Sequence, residues 1–460
     1  MNVKKLEPLF DYKTNRSNML IHKSNAEVCI NGNTYHGEGE IRLELLPRAD
    51  ICAYGYFQGV SVRDSLGSSL GQDKISSFSI NNRQIDGFHL SSGGNIDSGE
   101  YNLKWCPKSE PIVGIGDDST QISYLIFHLF NFVDLNGTRQ TVENDGSKNH
   151  RIEHVDLVCD EWHVELKSLI STREDIKSLK EEGGYRLTHI GGIRKKDNTL
   201  FSGQNAKQCL KALRFFLSFA KGGWCEPVCS VGFDESGARV YESWCSPKEP
   251  WHTPMSWFDP HHSSQLVDFF PGFIDKWRDG EWGEALHEVI YWYLNANFSS
   301  RGIDAGIILS QAAIERLSYE YSVKYKKLTS VNGFKDLWAS DKFRLLFSSL
   351  DIPIEIPKET PTIEQLSKKY NWVDAHHALT EVRNSLVHPE HKKRGQLASA
   401  FYEAWNLSLW YLEMGLLAAC NYSGTYGNRL KQRWVGQVEN VPWCKCPTRH
   451  SSGSPTTCQG

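Results

Sequence analysis

Several features that would place a protein in a special class are missing from this sequence. No apolar stretch approaches the roughly 20 residues that a membrane-spanning helix needs; the best, around Tyr124–Val133, is short and interrupted by His128 and Asn131. The first 20 residues contain charges and a proline where a secretory signal would need an apolar run. We therefore expect a cytoplasmic protein with no membrane attachment and with reduced cysteines.

The sequence also lacks a strong excess of either charge and lacks internal repeats. It has 51 Lys and Arg against 55 Asp and Glu, and 40% of its 460 residues are hydrophobic. This balance excludes a disordered chain, a collagen-like repeat and a uniformly basic nucleic-acid coat. The segment Gly114–Asp118 lacks the Lys-Ser/Thr pair of a phosphate-binding loop, so nucleotide hydrolysis is not predicted. The length predicts two or three domains.

The N-terminal part, residues 1–270, has the pattern of a β-rich region that could comprise two subdomains. Glu40–Leu45 alternates strictly between polar and apolar residues, the period of a half-buried strand. Glycine- and asparagine-rich turns recur, which is typical of a sandwich or barrel-like fold. Pro227–Phe233 and Arg239–Trp244 predict a hairpin. A proline-rich segment, Pro247–Pro271, is expected to be a loop that separates the two parts.

The C-terminal part, residues 271–460, shows long helical patterns and predicts an all-α antiparallel bundle. The fold class expected for the whole chain is therefore α+β. Basic side chains outnumber acidic ones in residues 285–460, whereas the opposite holds in residues 1–284. This asymmetry suggests a polyanionic partner for one half only, and the alternative is that two halves of a sequence differ this much by chance. One predicted helix, Ile303–Lys326, carries an apolar face, and another, Ile363–Val387, ends at His388-Pro389 and could be broken near Asn371.

The end of the Ile363–Val387 helix is the most informative segment, because Arg383-Asn384 is followed by His388 and Pro389. Proline disfavours the α conformation in the residue before it, so His388 is expected to leave the helix and approach Arg383. Helical spacing predicts one buried and one polar stripe. The buried stripe comprises Ala375, Leu379, Val382 and Leu386, and the polar stripe comprises His377, Glu381, Asn384 and His388.

These residue types suit RNA cleavage without a metal ion. An imidazole can take a proton from a ribose 2′-OH or give one to the leaving oxygen near neutral pH. A guanidinium can bind the phosphate as charge develops, and an asparagine can hold a phosphate oxygen or orient the imidazole. The alternative is an ordinary helix end, where Arg383 and His388 bond the last carbonyls.

The motif and its context resemble the HEPN superfamily, whose nuclease members carry Arg-x(4–6)-His with a polar residue after the arginine. Ser310–Leu317 resembles an upstream HEPN helix. A β-rich half joined to such a bundle, with Arg433-Trp434 and Trp443 after it, is similar to the ApeA family of bacterial anti-phage proteins. The resemblance identifies Arg383, Asn384 and His388 as catalytic. Three neighbouring polar residues are proposed with them: Glu381, Glu315 and His377.

Membership of such a family implies more than the motif does. It implies a homodimer through the HEPN bundle, no cofactor, and transesterification of RNA such as tRNA or mRNA to a 2′,3′-cyclic phosphate and a 5′-hydroxyl. The biological setting implied is anti-phage defence by abortive infection, with an unknown phage trigger. The alternative is a catalytically inert HEPN module that binds RNA or nucleotide, with the β-rich half as a ligand sensor.

Two further groups of residues could bind metals, although neither is the favoured interpretation. A short C-terminal segment contains Cys444, Cys446, His450 and Cys458, which are weak zinc candidates because Cys-x-Cys is tighter than the usual spacing. Asp156 and Asp160 precede Glu165-Leu166-Lys167, a pattern similar to that of metal-dependent nucleases. Because Glu-x-Lys is frequent in charged strands, an ordinary strand is the expected explanation.

Overall fold

The computed structural model describes residues 6–12, 17–62, 64, 75–95, 97–144, 148–298, 302–388 and 394–444. For residues 139–144, 148–151 and 394 only the backbone is described. The chain divides into two compact units. The first, called the β unit, extends to Met255 and includes Pro260–Ile274; the second, called the helical unit, comprises Ser256–Asp259 and the chain from Asp275 onward. The α+β class is thus confirmed.

The β unit begins with an antiparallel sheet that contains seven strands among the described residues. Its spatial order from one edge to the other is β5-β4-β1-β2-β3-β7-β6. The predicted alternation of Glu40–Leu45 falls in β2 and the residue after it, where Ile41 and Leu43 are fully buried. The strands in chain order are β1 (Asn18–Ile30), β2 (Asn33–Glu44), β3 (Asp50–Phe57), β4 (Ile75–Ile80), β5 (Arg83–Gln84), β6 (Gly87–Gly93) and β7 (Tyr101–Pro107).

A second sheet in the same unit contains eight described strands, and all of its described pairings are antiparallel. The chain-order bounds are β8 (Ile112–Ile115), β9 (Gln121–Ile122), β10 (Tyr124–Phe130), β11 (Thr138–Asn144), β12 (Lys148–Val158), β13 (Trp162–Ser168), β14 (Leu187–Lys195), β15 (Phe201–Ser202), β16 (Pro227–Phe233) and β17 (Arg239–Trp244). The sheet order is β11-β12-β13-β14-β10-β16-β17-β8, and β9 pairs separately with β15. The predicted hairpin is confirmed and is formed by β16 and β17. A register shift between Gly232 and Phe233 pairs Phe233 with Arg239.

The two sheets share one hydrophobic core, which includes Ile41 and Leu43 from the first sheet and Val231 and Trp244 from the second. Two helices accompany the second sheet, α1 (Thr172–Glu182) and α2 (Gly203–Lys221). Ser202 caps α2, because its hydroxyl accepts the backbone N–H of Asn205, and Gly222 ends the helix in the left-handed conformation. The sequence predicts both helices, one near Ser171–Glu182 and one at Ala206–Phe219, where Leu210, Leu213 and Leu217 share a face.

The helical unit contains one short strand pair, β18 (Thr425–Tyr426) with β19 (Glu439–Asn440), and the remaining helices of the described chain apart from the first of them, which lies in the β unit up to Ile274. The helices that follow α2 are α3 (Ser264–Arg278), α4 (Gly280–Ala296), α5 (Ile303–Tyr319), α6 (Val331–Asp336), α7 (Ala339–Ser349), α8 (Pro361–Tyr370), α9 (Ala375–Val387), α10 (Arg394–Leu397) and α11 (Phe401–Ala419). A π-helical segment, Glu320–Tyr325, continues α5, and a 3₁₀ turn, Ala398–Ala400, leads into α11.

Some expected boundaries were wrong for identifiable reasons. The segment expected to be a loop up to Pro271 contains the start of α3, and Pro271 lies inside this helix, where its ring removes one backbone donor. The sequence pattern of Gly333–Leu350 predicts one helix, but the structure has two, α6 and α7, because Leu337 and Trp338 adopt extended conformations. The break near Asn371 is confirmed: this residue has φ 56° and ends α8.

A buried polar network stabilises the helical unit internally. The Arg429 guanidinium and the Glu413 carboxylate are both fully buried and lie 2.6 Å apart. Tyr293 donates its hydroxyl hydrogen to Glu413 at 2.6 Å, and Arg429 also donates to Asn297 at 3.1 Å. Because each charge is paired and hydrogen-bonded, the network avoids the large cost of an isolated buried charge. No helix in the described ranges is long and apolar enough to cross a membrane.

Candidate functional site

The candidate site lies on α9, which begins at a well-defined cap. The Asp374 side chain accepts the backbone N–H of His377 at 2.9 Å, as an N-cap residue does. Arg344 of α7 also holds this carboxylate, with 2.6 Å between Nε and Oδ2. Burial alone would raise the pKa of Asp374, but the bond from Arg344 keeps the pKa below its usual value. The cap therefore fixes the start of α9 against α7.

The burial of α9 follows the helical period. Ala375, Leu379 and Val382 are fully buried, and Leu386 is half-buried near the end of the helix. Gln311 of α5 donates its amide hydrogen to the Leu379 carbonyl at 2.7 Å and so ties α5 to the same face. The polar stripe is more accessible, and its exposure increases toward the C-terminal end of the helix. His377, Glu381 and Asn384 are intermediate in exposure, whereas His388 is exposed.

The motif residues occupy the last turn of α9 and the residue that follows it. Arg383 donates from Nη1 to the Asn384 Oδ1 at 3.3 Å, and both side chains are partly exposed. His388 has φ −105° and ψ 111°, so it leaves the helix as expected, while its backbone N–H still bonds the Asn384 carbonyl at 3.0 Å. Pro389 lies outside the described residues. The structure thus brings Arg383 and Asn384 together, and it places His388 four residues beyond Asn384, just past the end of the helix.

The three proposed neighbours have different surroundings. Glu315 of α5 forms an ion pair with Lys342 of α7 at 2.6 Å. The His377 Nδ1 accepts the Val373 backbone N–H at 3.2 Å, which fixes this ring at the start of α9 rather than at its end. Glu381 lies two residues before Arg383 and is intermediate in exposure. Of the three proposed neighbours, Glu381 is the nearest to the motif in sequence, and it lies on the same polar stripe as Asn384.

A second histidine on α9, His376, is a core residue. Its ring is fully buried, stacks on Phe347 with 5.0 Å between ring centroids, and lies 4.5 Å from the Tyr411 ring. Burial lowers the pKa of His376 to about 3. A neutral, enclosed imidazole cannot exchange protons with a substrate at neutral pH, so the exposed His388 is the better acid–base candidate on this helix.

Of the weak zinc candidates, Cys444 is intermediate in exposure and its backbone N–H donates to the Val441 carbonyl at 3.0 Å. The other three, Cys446, His450 and Cys458, lie outside the described residues.

A polar cluster on the second sheet was only partly visible in the sequence. Asp156 of β12 pairs directly with Glu165 of β13, and ligand atoms of these two residues and His163 lie within 4.8 Å of one another. His154 also approaches, with Nδ1 3.4 Å from Asp156. Sequence analysis identified the carboxylates but missed both histidines. The available signal was the pair of segments His154-x-Asp156 and His163-x-Glu165, since residues two apart share one face of a strand.

The lysine of the Glu165-Leu166-Lys167 pattern forms a hydrogen bond outside the cluster. Lys167 donates from Nζ to the Leu6 carbonyl at 3.3 Å. Arg194 of β14 instead reaches the cluster: its Nη2 lies 2.8 Å from the His163 Nδ1 and 3.4 Å from the Glu165 carboxylate. The His154 imidazole lowers the pKa of Glu165, and Glu165 in turn raises the pKa of His154. The cluster is therefore a network of mutually compensating charges.

Comparison with known proteins identifies similarity to YopA proteins in both units. Residues 117–254 match the YopA central domain, and residues 279–440 match the YopA C-terminal domain. The chain is 27% identical over 415 residues to the SPbeta prophage-derived uncharacterized protein YopA of Bacillus subtilis (strain 168), an alignment that covers 88% of this chain and 90% of that protein. No solved structure matches the chain significantly. These descriptions do not name the HEPN or ApeA families, so that resemblance stays a prediction.

Proposed function

We propose that the helical unit is a HEPN-type module and that the chain is a metal-independent RNA endonuclease. The observation that carries the proposal is the arrangement at the end of α9. Arg383 and Asn384 are hydrogen-bonded and partly exposed in the last turn, and His388, the first residue past the helix, is exposed. At one accessible helix end, a guanidinium can bind an anionic substrate and an imidazole can exchange a proton with it.

The proposed chemistry assigns one task to each motif residue. His388 takes the proton of a ribose 2′-OH or gives one to the leaving 5′-oxygen. The 2′-oxygen then bonds to phosphorus as the bond to the 5′-oxygen breaks, which leaves a 2′,3′-cyclic phosphate and a 5′-hydroxyl. Arg383 stabilises the charge on the phosphate oxygens, and Asn384 positions Arg383 through the bond that the two side chains share.

One histidine per chain can serve as the acid or as the base, but one residue cannot supply both at the same instant. We therefore propose that two copies of the chain form a homodimer through the helical unit, with one motif from each. The proposed substrates are RNA molecules of the host or phage, such as tRNA, in the cytoplasm, and the proposed role is anti-phage defence by abortive infection. The description of the Bacillus subtilis relative as prophage-derived supports a setting that involves phages.

Incubation of the purified full chain with total RNA in the presence of EDTA tests the proposal. Cleavage products should carry a 2′,3′-cyclic phosphate, which blocks the 3′ end until the cyclic diester is hydrolysed to a monoester and a phosphatase removes that phosphate. Arg383→Lys should abolish cleavage, because an ammonium cannot hold two phosphate oxygens as the guanidinium fork does. The matched control is Arg48→Lys in the β unit, where the exposed guanidinium pairs with Asp50; it should cleave like the unmodified chain.

Three outcomes would contradict the proposal or part of it. RNA binding without cleavage under all conditions would favour the inert HEPN module. Cleavage that is lost in EDTA, restored by Mg²⁺ and abolished by Glu165→Ala would move the active site to the β unit. Light scattering that shows a strict monomer at micromolar concentration would remove the argument for a composite site.

A further inference from the structure

The second sheet contains a polar cluster whose geometry is independent of α9. Strands β12 and β13 are antiparallel, with Asp156 opposite Glu165 and Val158 opposite His163. Side chains two residues apart share a face of a strand, so His154 and Asp156 lie beside His163 and Glu165. Two imidazoles and two carboxylates are thereby brought to one place by strand register.

Ligand atoms of Asp156, His163 and Glu165 lie within 4.8 Å of one another, a spacing close to that of a first coordination sphere, and His154 lies beside them with one ring nitrogen toward each carboxylate. The His163 Nε2 lies 2.6 Å from the Asp156 Oδ1, and the His154 Nδ1 lies 3.4 Å from the Asp156 Oδ2. The His154 Nε2 is 3.9 Å from the Glu165 Oε2. An ion bound at about 2.0–2.2 Å to each of four tetrahedral ligands requires ligand atoms roughly 3.4 Å apart. Small side-chain rotations would therefore suffice to surround an ion.

We propose that His154, Asp156, His163 and Glu165 form a binding site for a divalent transition-metal ion. Mixed imidazole and carboxylate ligands suit Zn²⁺, Mn²⁺, Fe²⁺ or Co²⁺, whereas Mg²⁺ and Ca²⁺ prefer oxygen ligands alone. With neutral imidazoles the four side chains carry two negative charges, which a divalent ion neutralises.

Solvent can reach the proposed site. The Asp156 side chain is 47% exposed, while those of His163 and Glu165 are about one-fifth exposed, at 20% and 23%. The residue opposite Glu165 on β14 is Gly192, which has no side chain to cover the carboxylate. A site that is open on one side and formed by strands on the other can exchange its ion.

Arg194 is the group that competes with a metal ion. Its Nε and Nη2 both point hydrogens at the His163 Nδ1, so this nitrogen accepts and Nε2 donates its hydrogen to Asp156. Binding an ion at Nε2 requires that hydrogen to leave and Arg194 to turn away from Nδ1. Because the guanidinium supplies positive charge at the same place, its removal should strengthen metal binding rather than weaken it.

The test is calorimetric titration of tag-free full chain, previously stripped with a chelator, with Co²⁺ or Mn²⁺. One ion should bind per chain, and the visible absorption of Co²⁺ should report imidazole coordination. His163→Ala combined with Glu165→Gln should weaken binding by more than the 10- to 100-fold typical of losing an outer-shell partner. Arg194→Ala should strengthen it. The matched control is His36→Ala, which removes an exposed imidazole that pairs only with Glu27 at 3.1 Å among its described ion pairs; this variant should bind normally.

Several results would overturn the proposal. They are no binding at millimolar Co²⁺ and Mn²⁺, binding that is unchanged in the double variant, and loss of binding in Arg194→Ala. Thermal melting of each metal-free variant checks that it is folded, and added metal should raise the melting temperature of the unmodified chain but not of the double variant. None of these measurements involves RNA, so their outcome is separate from that of the proposed nuclease.

Discussion

The two units gather their polar side chains in different ways. In the helical unit, the candidate motif lies in one segment of the chain: Arg383 and Asn384 are in the last turn of α9, and His388 is the residue after it. In the β unit, Asp156 and Glu165 come from different strands and Arg194 from a third. The described bond of Arg383 goes to a neutral amide, whereas Glu165 lies among two imidazoles and a guanidinium.

This difference decides what each group can bind. A guanidinium bonded to an amide keeps its positive charge available for an anion such as a phosphate. Two carboxylates that compensate nearby cations can exchange those partners for a metal ion. We therefore propose a nucleic acid as the ligand of the helical unit and a cation as the ligand of the β unit, and each proposal can be tested without the other.

The largest expected effect is a loss of free energy of unfolding, and it concerns the helical unit. Arg429→Ala leaves the buried Glu413 carboxylate without its ion pair, because both side chains are fully buried. Removing one partner of such a pair costs about 3–5 kcal/mol in free energy of unfolding. Urea denaturation followed by circular dichroism at 222 nm, which reports mainly on helices, measures this loss.

The control for Arg429→Ala is Lys431→Ala in the same unit. Lys431 pairs with Glu439 at 2.6 Å, but both side chains are substantially exposed, at 43% and 37%. Exposed pairs contribute about 0–1 kcal/mol, so this variant should unfold close to the unmodified chain. Equal losses in the two variants would contradict the account of the buried network.

A smaller effect is expected from pH and concerns the β unit. Burial lowers the pKa of His128 to about 4 and that of His189 to about 3, against a usual value of 6.5. Below pH 6.5 the unfolded chain binds protons that the folded chain does not, so stability should fall as the pH decreases toward 4. The expected slope is on the order of 1 kcal/mol per pH unit for each histidine.

The His189→Leu variant isolates this contribution. The raised pKa of His154 acts in the opposite direction, since a folded state that binds protons more tightly gains stability as the pH falls. Comparing slopes between pH 6.5 and 5 with and without His189 cancels that term. The variant should show the shallower slope; identical slopes would mean that His189 becomes protonated in the folded protein.

Sequence patterns could predict the elements of this fold better than their contacts. The helical spacing of Ala375, Leu379 and Val382 identified the buried face of α9, because a helix determines which of its own residues share a face. The proximity of His163 to Asp156 depends on the register of two strands, which no local pattern specifies. Tertiary packing also keeps Pro271 inside α3, against its intrinsic preference.

The smallest effect on stability is expected at the motif itself. Arg383→Lys keeps the charge and lies off the buried stripe, so the free energy of unfolding should change by less than about 0.5 kcal/mol. RNA cleavage should nevertheless be lost. A loss of stability comparable to that of Arg429→Ala would indicate that Arg383 supports the helix end instead of binding a phosphate.

The most direct test of the nuclease assignment measures RNA cleavage and melting temperature on one sample of His388→Ala in EDTA. Cleavage should fall by about 10²–10⁴, the range for a positioned acid or base. The melting temperature should stay that of the unmodified chain, because the His388 side chain is exposed. A destabilised variant that cleaves RNA at the full rate would contradict the assignment and identify His388 as a helix-terminal residue with a structural role.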